Sequence, residues 1–362
     1  MSVTLDHLLE PISQWLDDTN VEEICIQKPG EAWVYSRGWF ERHPVDLDAD
    51  AIEDIAIVAA AQRRQDIHQR QPLLATDLVG RGRLQAVIYP CVAEGFPSLT
   101  IRRGSTEWPT LDELEAGGLF TATKAVKSTT DDDELIQLYQ GGHWKRFLAG
   151  AALKRKTMII CGTNASGKTH ISKAALSAVP PEERLITIED APELRGLDRL
   201  HPNSVSLYYD KDGKGGVTAS VLVEAALRMR IGRLFLQEIR DGVGAIAFLL
   251  ALQTGHTGGI TTIHASDSLA VFDRLRVLVK QAPGGASISD TDITKQLRSL
   301  VDVIVHAGRD GSTFKVDEVW FRACPEVMGK SDERGVAAFS GESGAVAGDR
   351  AGVSEPCPVL QP

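Results

Sequence analysis

Residues 159–171 read IICGTNASGKTHI, and no other stretch constrains the fold as tightly. Gly162, four residues, then Gly167-Lys168-Thr169 is the G-x-x-x-x-G-K-[ST] spacing of a phosphate-binding loop. Such a loop needs a strand before it and a helix after it, so that successive backbone N–H groups wrap a polyphosphate at the positive end of the helix. Both neighbours are predicted: the apolar run at 158–160 reads as a strand, and HISKAALSAV reads as a helix. Lys168 is then the residue that reaches the β- and γ-phosphates, and Thr169 the one whose hydroxyl meets Mg²⁺. Gly162, Thr163, Asn164, Ala165, Ser166, Gly167, Lys168, Thr169 and His170 form the candidate nucleotide-binding set. Asn164 and Ala165 stand where Gly or Ser is common. Asn tolerates positive φ better than other non-glycine residues, so Asn164 need not spoil the loop.

The chain has 362 residues, enough for two domains. Its 49 acidic residues exceed its 39 basic ones, a net charge of -10, so direct nucleic-acid binding is expected to be weak or absent. Five cysteines lie scattered without C-x-x-C spacing and read as free thiols, with no zinc site. No secretory signal and no apolar run of membrane-spanning length is visible; AIAFLLAL reads as a short buried helix. Leu5, Leu8, Leu9, Ile12 and Leu16 fall at helical spacing near the start. The accompanying Asp6, Glu10, Asp17 and Asp18 suit packing on the chain's own fold rather than on a membrane surface.

Residues 1–105 read as an α+β N-terminal domain. EEICIQKPGEAWVYSRGWFERH gives strands with turns at Pro29-Gly30 and Arg37-Gly38, AIEDIAIVAAAQRRQ a helix, and RLQAVIYP and SLTIRRG strands. A linker is predicted over 106–135. Residues 136–328 alternate helices and strands, which predicts an α/β domain with a largely parallel sheet. The Gly/Ala/Ser-rich tail over 329–362 reads as disordered.

Within 136–328 one pattern recurs: an apolar strand ends in chemically useful residues. TMIIC ends in the phosphate loop, LITI in Glu189-Asp190, LFL in Gln237-Glu238, and GITTI in His264. Ligands of open α/β sheets bind beyond the carboxyl ends of the strands, so if these four strands are neighbours the groups converge on one nucleotide. Phosphoryl transfer to water needs a metal, a group that orients the water, and a cation for the transition state. Glu238 is assigned to the Mg²⁺ or its waters, Glu189 to polarising the water, and His264 to sensing the γ-phosphate. His256 reads as equally suited to a tight turn. Arg228, Arg230 and Arg233 flank a turn before the Glu238 strand and Arg240 follows it; arginine suits phosphate and carboxylate pairing, the plain reading of each is a structural ion pair, and the other is completion of a neighbour's site. Arg102 and Arg103 end a strand of the first domain and are candidates to reach the nucleotide from above.

GTNASGKTH, RLITIEDAPEL, LRMRIGRLFLQEIRDG and TGHTGGITTIHASD resemble, in order and spacing, the phosphate loop, acidic box, Walker B box and histidine box of the type II/IV secretion ATPases. HPNSVSLYYDKDGKGG, LVKQAPGG, EICIQKPGEAWVY and YPCVAEGFPSLTIRR are similar to the VirB-type subgroup of type IV secretion and conjugation machines. The resemblance spans residues 15–322. It implies a RecA-like ATPase domain, ATP and Mg²⁺ as ligands, and a homo-hexameric ring. It also implies a nucleotide between a subunit's two domains, with Arg102 or Arg103 on its phosphates. The ring is then cytoplasmic, peripheral to the inner membrane and partnered by inner-membrane type IV secretion components, for substrate transfer or pilus assembly.

Three departures bear on turnover: Asn164-Ala165 for Gly-Ser, Ile231-Gly232 for Pro-Asp, and Gln237 for a small residue beside Glu238. The last places a long side chain next to the expected metal site. Two alternatives follow, a Tad-type pilus assembly ATPase with nearly the same boxes, and a nucleotide-binding ring subunit with little turnover. The four-cysteine zinc module of many type II members is absent.

Overall fold

The computed structural model describes residues 3–103, 110–118, 121, 132–210 and 216–324. Strands β1 (Val21–Lys28), β2 (Glu31–Ser36) and β3 (Trp39–Pro44) form an antiparallel meander with turns at the two predicted sites. Arg37 and Gly38 both take positive φ (51° and 96°), which matches the twist of a two-residue hairpin. With β4 (Leu73–Leu78), β5 (Gly82–Val87) and β6 (Ser98–Arg102) they make a six-stranded sheet in the order β3-β2-β1-β6-β5-β4.

Helices Val3–Leu8, Ser13–Asp17 and Ala49–Gln62 accompany this sheet. Pro11, unable to donate a helical hydrogen bond, coincides with a 3-10 turn, Glu10–Ile12, that splits the N-terminal run. Leu5, Leu9, Ile12 and Leu16 are buried with Ile24, Ile26, Ile52 and Ile55 in one apolar cluster, so the acidic N-terminal segment packs on its own sheet. Side chains alternate along a strand. Ile24 and Ile26 of β1 therefore enter this cluster, while Glu23 and Gln27 turn to the other face and meet the second half of the chain.

The second sheet comprises β7 (Met158–Cys161), β8 (Leu185–Glu189), β9 (Ser204–Tyr208), β10 (Arg233–Leu236), β11 (Ile260–Ile263), β12 (Val303–Asp310) and β13 (Thr313–Phe321). Its order is β13-β12-β7-β11-β10-β8-β9. Every pair is parallel except the β12–β13 hairpin. β7, β10 and β11 are buried at every residue, as strands covered on both faces must be, and the sequence shows this as short unbroken apolar runs. Helix Gly242–Gln253, which contains AIAFLLAL, buries most of its residues, and Asp241 caps it by accepting from Gly244 N–H at 2.7 Å. No helix among the described residues is long and apolar enough to cross a membrane.

β7, β8, β10 and β11 are the four strands read from the sequence. β4, β9, β12 and β13 were not read: β9 alternates half-buried with buried residues, and β13 is exposed over most of its length. Most of the predicted linker and all of the tail from Gly329 lie outside the described residues.

The two halves meet through polar groups. Arg184, fully buried, donates from Nε to Met229 O (2.8 Å) and from one terminal nitrogen to Gln27 Oε1 (2.5 Å) and Asn203 Oδ1 (2.8 Å). Arg230 donates to Glu23 Oε2 at 2.8 Å and lies over the Tyr35 ring at 3.3 Å. Burial raises the Glu23 carboxyl pKa above its ordinary value, and Arg230 opposes that rise.

Candidate active site

The loop after β7 is shaped by two glycines. Gly162 has φ 146°, and a Cβ there would lie 2.4 Å from Ala307 O. Gly167, at φ 94°, opens the helix Lys168–Ser177; a Cβ on it would come within 2.8 Å of Phe314. The remaining positive φ of the loop falls on Ala165 (57°), not on Asn164. Ser166 is buried and its hydroxyl has no partner, a polar atom inside the loop with bonding capacity to spare. Lys168 Nζ donates to Gly162 O (3.1 Å) and Thr163 O (2.8 Å). Burial pulls its ammonium below the ordinary 10.5, and the Glu238 carboxylate opposes the pull.

The sheet order makes β7, β11, β10 and β8 consecutive neighbours, the condition on which convergence depended. Their C-terminal ends are linked by side chains. Lys168 Nζ lies 3.3 Å from His264 Nδ1, and His264 Nε2 lies 3.0 Å from Glu238 Oε1. An ammonium only donates, so Nδ1 accepts and the Nε2–H donates to the carboxylate. The other oxygen of Glu238 accepts from Arg240 Nε at 3.0 Å, and a terminal nitrogen of Arg240 bonds Asp190. Lys168, His264, Glu238, Arg240 and Asp190 thus form one continuous chain of contacts.

Two sequence assignments need correction. Glu189 was assigned to polarise water, but it is fully buried and both its oxygens are engaged locally. Oε1 accepts from the Thr187 hydroxyl (2.8 Å), and Oε2 accepts from the N–H groups of Glu193 (2.9 Å) and Leu194 (3.1 Å). It anchors the loop after β8. Gln237 was expected to set a long side chain beside the metal site. Instead its Oε1 accepts from Asp190 N–H at 2.8 Å and lies 3.4 Å from Ala191 N, so its side chain reaches across to β8. It holds in place the backbone that carries Asp190.

Three of the arginines lie at the N-terminal ends of the strands, away from the loop. Arg228, Arg230 and Arg233 precede or begin β10, and His256 precedes β11. A four-residue strand separates its two ends by about 13 Å. Arg233 is fully buried and bidentate to Glu183 (2.9 and 3.1 Å), the plain ion-pair reading. His256 Nδ1 is 3.1 Å from Thr254 Oγ1, in the tight turn. Arg102, expected over the nucleotide, instead lines a cavity of about 860 Å³ with Arg83, Arg228, Arg230, Glu23 and His256. Arg103 donates to Val21 O at 3.2 Å and to Asp18 O, within the first half. The contacts of both lie away from the phosphate loop of their own chain. Gly232 sits here because a Cβ would lie 2.6 Å from Arg184 O.

Arg240, read from the sequence as an arginine suited to carboxylate pairing, joins Asp190 to Glu238, and sequence reasoning missed Phe314 beside Gly167. The Asp310-Gly311 turn signal would have located the hairpin that carries Phe314.

A family model described as Type II/IV secretion system protein matches residues 134–309. The chain is 41% identical over 326 residues to Protein VirB11 of Rhizobium radiobacter, covering 88% of this chain and 94% of the relative. It is 37% identical over 329 residues to the type IV secretion system protein VirB11 of Bartonella henselae, with coverage of 86% and 91%. Among solved structures, the VirB11 ATPase from the Brucella suis type IV secretion system, in complex with sulphate, matches with a TM-score of 0.82 at 33% identity. That match covers 88% of this chain and 94% of the other.

Proposed function

The chain belongs to the VirB11 family and is a type IV secretion ATPase, and from that premise we propose how its residues bind and hydrolyse ATP. The loop over 162–170 holds the polyphosphate, with Lys168 at the β- and γ-phosphates. Thr169 and Glu238 would hold Mg²⁺, with Glu238 already positioned by His264 and Arg240. The buried, unpartnered Ser166 hydroxyl and the oxygen donors of Thr169 and Glu238 suit such a ligand. The ion supplies neutralising charge to the phosphates. Glu238 takes over from Glu189 as the carboxylate that orients the water, and Glu189 fixes the loop. His264, between Lys168 and Glu238, senses whether the terminal phosphate is present. The single observation that carries this reading is the contact chain from Lys168 to Asp190 across four neighbouring strand ends.

The second half, over 136–328, is in this reading a RecA-like ATPase domain and residues 1–105 a separate N-terminal domain. The chain works as a homo-hexamer, cytoplasmic and peripheral to the inner membrane, bound to inner-membrane type IV secretion components. Arg102 then acts on the phosphates of a neighbouring subunit. The cavity it shares with Arg83, Arg228 and Arg230 has an excess of guanidinium groups and is lined by residues that precede β10 and β11. A head-to-tail contact that joins these N-terminal ends to a neighbour's phosphate loop generates a ring when the rotation between subunits closes.

ATP turnover, with ring size from light scattering, tests this for the wild type, Lys168→Ala and Glu238→Gln. The expected result is a hexamer whose turnover both substitutions reduce by at least about a hundredfold, the scale of a lost transition-state contact. Wild-type turnover that survives Lys168→Ala would sink the reading.

A further inference from the structure

Strand β9 ends the second sheet: β8 pairs with one side of it, and no described strand pairs with the other. In a parallel ladder, alternate residues bond to the neighbouring strand. Leu185 N–H donates to Asn203 O and Tyr209 N–H donates to Glu189 O, each at 3.1 Å, so the odd-numbered residues of β9 face β8. Ser204, Ser206 and Tyr208 therefore turn their backbone groups to the outer edge. Tyr208 N–H donates there to Cys91 O at 2.8 Å, so a segment of the first half already extends the sheet at one end of this edge. Among the described residues, none bonds to the backbone of Ser204 or Ser206 on that side.

The open stretch lines a cavity of about 240 Å³ between the two halves. Small-molecule sites start at about 300 Å³, so this groove suits one or two side chains of a peptide better than a cofactor. Its apolar walls come from Val92 and Phe96 of the first half and from Leu194 and Leu197 of the segment after β8. Phe96 is 49% exposed. Two cations, Lys28 and Arg195, line the groove with one anion, Asp198. Lys28 pairs with Glu31 at 3.3 Å, whereas Arg195 is exposed and has no carboxylate partner among the described residues. A row of unpaired N–H and C=O groups is a template for another strand, and an apolar pocket beside it selects alternate side chains of that strand.

We propose that this groove docks a short extended segment of a partner protein, added to β9 as a further strand, with an apolar side chain in the pocket and a carboxylate at Arg195. The main-chain bonds to Ser204 and Ser206 continue the contact that Cys91 makes with Tyr208. None of the lining residues belongs to the contact chain from Lys168 to Asp190, so strand docking and nucleotide binding are separable.

Fluorescence anisotropy with the full chain and labelled, end-blocked heptapeptides tests this. One probe alternates valine and glutamate, a second has lysine for glutamate, and a third is the glutamate peptide with proline at its centre. The wild type is expected to bind the glutamate peptide at least about tenfold more tightly than either control. The net charge of -10 opposes that preference, so the preference reports the local basic rim. Arg195→Glu should weaken binding of the glutamate peptide by about 2- to 30-fold, one exposed pair lost and one repulsion gained. Ser206→Pro removes an outward N–H, a change that edge strands tolerate, and should weaken it by about 2- to 10-fold. If Ser206→Pro does not fold, the proline probe and Arg195→Glu still decide. Failure of the glutamate peptide to bind, equal binding of the three probes, or unchanged affinity in Arg195→Glu overturns the proposal. So does light scattering in which Arg195→Glu dissociates the wild-type assembly, which would mark the groove as a contact between copies of this chain.

Discussion

Replacing Gln237 separates two physical accounts of the departure beside Glu238. Gln237 is buried, and its Oε1 accepts from Asp190 N–H at 2.8 Å. Gln237→Leu keeps the volume and removes the acceptor. A buried N–H left without a partner costs about 1–3 kcal/mol. For a unit the size of the second sheet and its helices, that lowers the melting temperature by about 2–12 °C. The same loss frees the backbone that sets Asp190 against Arg240, and Arg240 holds Glu238 at 3.0 Å. Turnover should therefore fall with stability, about tenfold for each 1.4 kcal/mol by which the aligned loop is disfavoured. Gln237→Ala removes the bulk and leaves room for a water to serve as acceptor, so it should melt nearer the wild type and turn over no faster. The assay is a thermal melt beside steady-state ATP turnover for the three proteins. A Gln237→Leu protein that melts like the wild type, together with a Gln237→Ala protein that hydrolyses faster, would refute the clasp and restore simple crowding.

Two further outcomes follow from the geometry. Gly232→Ala places a methyl group 2.6 Å from the backbone oxygen of Arg184, so urea unfolding should show a loss of about 1–3 kcal/mol, and wild-type stability would contradict the close approach. Burial holds the Glu189 pKa above the ordinary 4.5, so the folded protein keeps a proton there that the unfolded chain has released. The stability of the wild type relative to Glu189→Gln should accordingly fall as pH rises from 4.5 through the raised value and then level off; a difference that grows with pH over that range would reverse the sign.

How much was legible in the chain varied with how local the cause was. The phosphate loop is a spacing of glycines, a lysine and a threonine within eight residues, and its strand and helix announce themselves by short-range periodicity. The same is true of the buried N-terminal leucines, whose acidic companions favoured packing on the chain's own fold. Glu238 and His264 were found because each closes an apolar run. Strands without that signature escaped: β13 shows no buried run until its end, so Phe314 looked like a residue of an unremarked loop.

Sequence alone named the candidate groups and determined the class of the second sheet, because those depend on residue order along a few strands. Tertiary structure decided which of those groups meet. The strand order put β7, β11, β10 and β8 side by side, and no property of any one strand encodes its neighbour. It sent Gln237 to Asp190 and turned Glu189 inward to its own loop, since a side chain bonds whatever partner the adjacent strand presents. It also placed Arg102 in the cavity with Arg228 and Arg230, which precede β10, rather than beside the phosphate loop of its own chain. Contacts such as Arg230–Glu23, which join residues 207 positions apart, exist only once both sheets have formed.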